Sequence, residues 1–86
     1  MKIINVNIND FSERFIKEYD FLYDNHDRVA GYDEAVEMFD AMMDNDNFAA
    51  FVGEFVKFRE DYISSDREAA AFMFALESMG ALDDVA

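Results

Sequence analysis

A mainly α fold, a compact four-helix bundle with one short N-terminal β-strand or extended arm, is what the sequence predicts, on three observations. Apolar residues recur at i, i+3, i+4 and i+7 in four successive stretches, the spacing of a helix with one buried face. Capping patterns and polar breaks separate those stretches at short intervals. The chain has no proline, no Gly/Ser linker and no internal repeat, so its 86 residues read as one helical domain. That domain divides into 1–9 as strand or arm, 10–80 as bundle and 81–86 as a frayed tail.

At the N-terminus Ile4, Val6 and Ile8 alternate with Asn5, Asn7 and Asn9. Period two with β-branched residues is a strand pattern. No second strand pattern follows, and a lone strand leaves its backbone groups unpaired. An arm lying on the helices, pairing with the same segment of a second copy, and pairing with the sheet edge of a target are all compatible with it.

The first helix is expected over 11–25, with Asp10 as its cap and Glu13 in capping-box position. Phe11, Phe15, Tyr19, Leu22 and Tyr23 share its apolar face, and Glu13–Lys17 and Arg14–Glu18 are i,i+4 pairs on the wet side. After a loop over 25–31, the second helix runs from Tyr32 or Asp33 to Met43. Its apolar centre is Val36, Phe39 and Met43, flanked by Tyr32, Ala35 and Met42. Asp46 or Asn47 caps the third, which runs to Ile63 with Phe48, Phe51, Val52, Phe55, Phe58 and Tyr62 on one face. Ser65 caps the fourth, Glu68 completes a capping box, and Gly80 terminates the helix beyond Met79. The alanines of this last helix suit packing on two sides.

Charge is the chain's other signature. Twenty Asp and Glu against seven Lys and Arg give −13, yet 52% of residues are hydrophobic and ten are phenylalanine. Disordered acidic segments reach such a charge by shedding apolar residues; this chain keeps them, and wears its charge over a core. Such a surface repels nucleic acid and anionic membrane and attracts basic surfaces. Solubility alone asks for a net magnitude of about 2–8. No cysteine is present, which removes disulfides, thiolate metal sites and thiol nucleophiles. The N-terminus lacks a signal-peptide pattern and no stretch approaches the ~20 apolar residues of a membrane span; a cytoplasmic location is expected.

Asp33, Glu37, Asp40 and Asp44 on the second helix are spaced by four, three and four. At 100° per residue they occupy roughly 60° of arc. The helix dipole welcomes Asp33 and Glu37 and opposes Asp40 and Asp44, and each like-charge i,i+4 pair costs a few tenths of a kcal/mol. No lysine interrupts the stripe, so local helix stability does not account for it. One acid per turn is one per ~5.4 Å, against one phosphate per ~1.7 Å of duplex. A phosphate-like row therefore needs further acids, and Asp20, Asp24 and Asp27 are the candidates, with Glu54 and Asp61 behind them.

Other constellations are weaker. Asp44-Asn45-Asp46-Asn47 begins like a calcium loop, but Phe48, Ala49 and Phe55 fall where the fifth ligand, the turn glycine and the bidentate glutamate belong. No metal site and no cofactor is expected. His26, the single histidine, reads as a solvated loop residue with no nucleophile to serve. No catalytic motif appears, and the expectation is a non-enzyme. Phe21 and Phe74 fall opposite the apolar faces of their helices, and at least one is expected in an interface. Arg59 projects into the aromatic face of the third helix. The simpler expectation is a stem packed on Phe55 and Tyr62 with its head in water, the sharper one an ion pair with a carboxylate of the first or second helix.

In size, acidity and helical character the chain resembles the small phage- and plasmid-borne inhibitors of host defence, the anti-restriction and anti-CRISPR proteins, several of which mimic nucleic acid. The resemblance is one of composition and covers no motif, and acidic immunity proteins that block basic nuclease toxins share the profile. It implies a basic nucleic-acid-binding protein as partner, a defence nuclease or Cas effector, with no direct contact to nucleic acid or membrane. From the residues themselves, the target-binding candidates are Asp33, Glu37, Asp40, Asp44, Asp20, Asp24 and Asp27, with Phe21 as an apolar anchor. The alternative is a helical assembly module that dimerises through residues 3–8 or the last helix and is acidic for solubility.

Overall fold

The computed structural model describes residues 4–82. Four α-helices are present among them: α1 (Ile8–Asn25), α2 (Tyr32–Met42), α3 (Asp46–Arg59) and α4 (Asp66–Ser78), with a 3-10 turn over His26–Arg28. The mainly helical class and the number of helices agree with the periodicity of the sequence.

No strand forms among the described residues. Residues 4–7 are irregular, and α1 begins three residues before its expected start. The cap is Asn7, not Asp10: its side-chain oxygen accepts from the N–H groups of Asn9 (2.8 Å) and Asp10 (3.1 Å). A competent cap three residues earlier lets Ile8 join the helical row of Phe11 and Phe15, and helical bonds inside one segment satisfy the backbone groups that a lone strand would leave unpaired. Ile4 is buried and Val6 half-buried against the core, so the segment over 4–7 lies on the helices. Residues 1–3 and 83–86, parts of the expected arm and tail, lie outside the described residues.

The remaining boundaries follow local chemistry. Gly31 precedes α2 at φ +86°, a conformation that glycine adopts without strain. Asn45, rather than Asp46 or Asn47, caps α3 by accepting from Phe48 N–H at 3.0 Å. Ser65 and Glu68 form the expected box, except that Glu68 reaches back to the N–H of Ser64 (3.1 Å) as well as to the hydroxyls of Ser64 and Ser65. Gly80, at φ +69°, closes α4 in a Schellman motif: Gly80 N–H donates to Glu77 O (3.0 Å) and Ala81 N–H to Leu76 O (2.9 Å). Ala81 is buried beside that turn, so the tail is anchored at its first residue.

α3 stops four residues short of its expected end. Glu60 sits at φ +58°, a left-handed position where glycine is usual. An L side chain there costs about 1–2 kcal/mol, and glycine returns part of that gain through its looser unfolded state. Glu60→Gly is therefore expected to raise stability by about 0.5–1 kcal/mol, read as a shifted urea midpoint with unchanged slope.

α4 is the keystone. α1 and α2 both pack chiefly on it, and Ala69, Ala70, Ala71, Phe72, Met73, Ala75 and Leu76 are all buried. Its alanines let neighbouring helix axes come close, since interaxial distance follows the side chains at the contact. α3 reaches α4 differently, through rings. Phe72 makes edge-on contacts with Phe11 of α1, Phe39 of α2, and Phe48, Phe51 and Phe55 of α3, at centroid separations of 4.9–5.8 Å. With Phe15 these form one phenylalanine core to which every helix contributes.

Some expected core residues lie outside it. Tyr23 is exposed and Tyr19 only half-buried, leaving Phe11, Phe15 and Leu22 as the buried residues of α1. Met43 falls beyond the end of α2 and is exposed, so the centre of that helix is Ala35 and Phe39. Phe58 and Tyr62 are exposed as well. Of the two i,i+4 pairs expected on α1, Arg14–Glu18 forms at 2.9 Å, and Glu13–Lys17 is not an ion pair among the described residues.

Candidate functional site

The acids of α2 stand where the wheel puts them. Ala35 and Phe39 hold one side of the helix in the core, and Asp33, Glu37 and Asp40 are exposed on the opposite side. Asp44 is exposed too, but in the turn after the helix, where its N–H donates to Ala41 O at 3.4 Å. The helical stripe is thus three acids followed by one on a turn. None of the four has a cationic partner among the described residues, where ion pairs join Arg14 to Glu18 and Arg59 to Glu68, and Asp27 meets the His26 imidazole.

The supporting acids divide. Asp27 lies in the 3-10 turn, and with Asp33 and Glu34 it lines an open concavity of about 320 Å³. Asp27 and Asp33 thus face one hollow at the N-terminal end of α2. Asp20 and Asp24 are exposed on α1, whose main partner is α4 and not α2. They form a separate acidic face.

His26 is not simply solvated. Its Nε2 lies 2.9 Å from Asp27 Oδ1, its ring sits 5.3 Å from that of Tyr32, and its Nδ1 is buried without a partner. It orders the turn that carries Asp27. The Tyr32 hydroxyl beside it is pushed above its ordinary value by burial first, then by the Asp66 carboxylate, with Arg67 opposing; it stays neutral at physiological pH.

Phe21 is 55% exposed and Phe74 half-buried. They come from different helices yet line the same hollow. Sequence periodicity marked each as misplaced, but it carries no information on whether they meet. Met38, exposed on the flank of α2, carries no such mark in the sequence, since it stands at the edge of the apolar face.

Arg59 departs from both expectations. Its partner is Glu68, on the first turn of α4, and the pair is mostly shielded, with side chains 19% and 12% exposed. The guanidinium also donates to the carbonyls of Asp61 (3.2 Å) and Tyr62, and lies over the rings of Phe15 and Phe55. Tyr62 offers its carbonyl and not its ring. The arrangement is structural: it ties the connection between α3 and α4 to the aromatic core.

Among the described residues no three His, Asp or Glu side chains are grouped to hold a metal ion, and no helix is long and apolar enough to cross a membrane. No family model, no curated protein and no solved structure matches the chain.

Proposed function

We propose that the protein is a non-enzymatic acidic inhibitor that fills the basic nucleic-acid-binding groove of a defence nuclease or CRISPR effector and competes with its polyphosphate ligand. The observation that carries this reading is the outer face of α2. Asp33, Glu37 and Asp40 are exposed and lack cationic partners among the described residues, on a helix fixed from behind by Ala35 and Phe39. Asp44 continues the row in the turn beyond, and Asp27, which lines one hollow with Asp33, adds charge near the other end, against the spacing deficit of a single helical row. Carboxylates take the place of phosphates, and the net charge of −13 speeds the encounter. Asp20 and Asp24 add to the long-range field, and Phe21 supplies an apolar contact.

Reversal of the stripe is the test. Asp40→Lys with Asp44→Lys places cations at the end of α2, where the dipole favours them by about 0.3–1 kcal/mol each, so the fold gains while the mimic loses. Against a cationic nuclease that the wild type inhibits, the double variant is expected to bind at least about tenfold more weakly, or about 1.4 kcal/mol. A second variant of equal net charge, Glu13→Lys with Glu60→Lys, at exposed positions outside the stripe and its supporting acids, controls for the total. Wild-type binding should weaken steeply with salt and yield to added DNA. Equal affinity of the stripe and control variants would remove the stripe from the mechanism.

A further inference from the structure

Because α1 and α2 both lean on α4, furrows remain on either side of Phe74. One hollow of about 280 Å³ opens between α1 and α4, with Phe21, Leu22 and Val29 in its wall. A second, of about 200 Å³, opens between α2 and α4, with Met38, Met73 and Leu82 in its wall. Phe74 and Glu77 line both, so the two adjoin. Phe21 and Met38, at the outer edges, are 55% and 46% exposed. The rim is acidic, with Glu18 and Glu77 at the first hollow and Glu34 and Glu77 at the second, and no Lys or Arg lines either. Glu18 already bridges Arg14, while Glu34 and Glu77 have no cationic partner among the described residues.

We propose that this double hollow is a docking groove for a short basic amphipathic helix of a partner protein. The helix would seat two bulky apolar side chains, three or four positions apart, on either side of Phe74, and set flanking Lys or Arg against Glu34 and Glu77. Apolar anchors at that spacing lie about 5–6 Å apart on one face of a helix, the usual way an amphipathic helix enters a groove. Charge complementarity decides the occupant. A nucleic acid or an anionic bilayer meets an acidic rim and is repelled, and a second copy of this chain brings another −13 to the same face. Apolar anchors framed by cations match both the floor and the rim. The inference goes beyond the competitive reading above and does not need it: Phe21 serves in both, but the groove lies beside α4 and the exposed acids of the outer face of α2 take no part in it.

The probe is a labelled 14-residue Leu/Lys peptide with leucines at helical spacing. Beside it run a scrambled peptide of the same composition and a Leu/Glu peptide of the same pattern. The patterned Leu/Lys peptide is expected to bind one to one and at least about tenfold more tightly than the scrambled one, and the Leu/Glu peptide not at all. Phe21→Ser with Met38→Ser should abolish that preference while the helical circular dichroism is kept, since neither side chain belongs to the buried core. In Asp40→Lys with Asp44→Lys the preference should survive, which separates failure of the groove from failure of the stripe. Equal binding of patterned and scrambled peptides, or no effect of Phe21→Ser with Met38→Ser, overturns the proposal. So does a concentration-dependent dimer, seen by sedimentation, that this double variant dissociates.

Discussion

Phe72→Ala is expected to destabilise the protein by about 3–5 kcal/mol, the range for truncating a buried aromatic ring. Phe72 is fully buried and touches five other phenylalanines drawn from α1, α2 and α3. Its removal costs the transfer free energy of the ring and the edge-to-face contacts, and leaves a cavity whose walls come from all the helices. Total stability at about 0.05–0.15 kcal/mol per residue leaves little margin for such a loss. In a domain of this size each kcal/mol moves the midpoint by about 4–8 °C, so a thermal melt followed by far-UV circular dichroism should shift by roughly 20 °C or show a chain already unfolded. Phe72→Leu, which keeps most of the volume, should cost much less. If Phe72→Ala and Phe72→Leu melt together near the wild type, the central ring is not what joins the helices.

The second large effect concerns Glu68. Burial tends to raise its carboxyl, but the hydrogen bonds from Arg59, Ser64 and Ser65 outweigh it and hold the group below its ordinary value. A folded-state value under the unfolded one means that the unfolded chain binds more protons through that interval, so stability rises with pH across it. The contribution is complete above the unfolded carboxylate range and is lost as pH falls through the folded value. Glu68→Gln keeps the shape and removes the charge. At neutral pH it is expected to cost about 1.5–3 kcal/mol, the worth of hydrogen bonds to a charged group. The gap between wild type and variant in urea melts should be constant near neutral pH and narrow steadily as pH falls below the ordinary carboxylate range. A gap that does not change with pH would show that the carboxylate is not the acceptor described. Arg59→Met leaves Glu68 shielded and unpaired, so the combined Arg59→Met, Glu68→Leu change should cost less than the two single changes added together.

What the sequence made legible was whatever rests on local chemistry. The Ser65 and Glu68 box and the Gly80 terminator each lie within a few residues and were readable as patterns. Exposure of Asp33, Glu37 and Asp40 followed from helical spacing once Phe39 was assigned to the core. The misreadings came where two local patterns compete or where a distant partner decides. Ile4, Val6 and Ile8 fit period two, yet Ile8, Phe11 and Phe15 also fit a helix, and Asn7 as cap settled the contest. The aromatic row of α3 runs on to Tyr62, but the carbonyls of Asp61 and Tyr62 turn toward Arg59, itself held by Glu68 nine residues away. No turn residue announces that stop, because a glutamate occupies the left-handed position. That Phe21 and Phe74 line one hollow, and Asp27 and Asp33 another, depends on how helices are placed against one another. Periodicity within a helix carries no such information.

The order of synthesis gives the position of α4 a further meaning. The element against which α1 and α2 rest follows both of them in the chain. During translation the rings of the first three helices therefore appear before the wall they share. Contacts between α1 and α4 close a long stretch of chain, which raises contact order and slows folding compared with a bundle in which each helix docks on its predecessor. Until α4 arrives, a nascent chain presents Phe11, Phe39 and Phe48 to its surroundings, the sort of exposure that invites chaperones or self-association. The crowd of like charges on the same segment works against the second outcome by keeping unfinished copies apart.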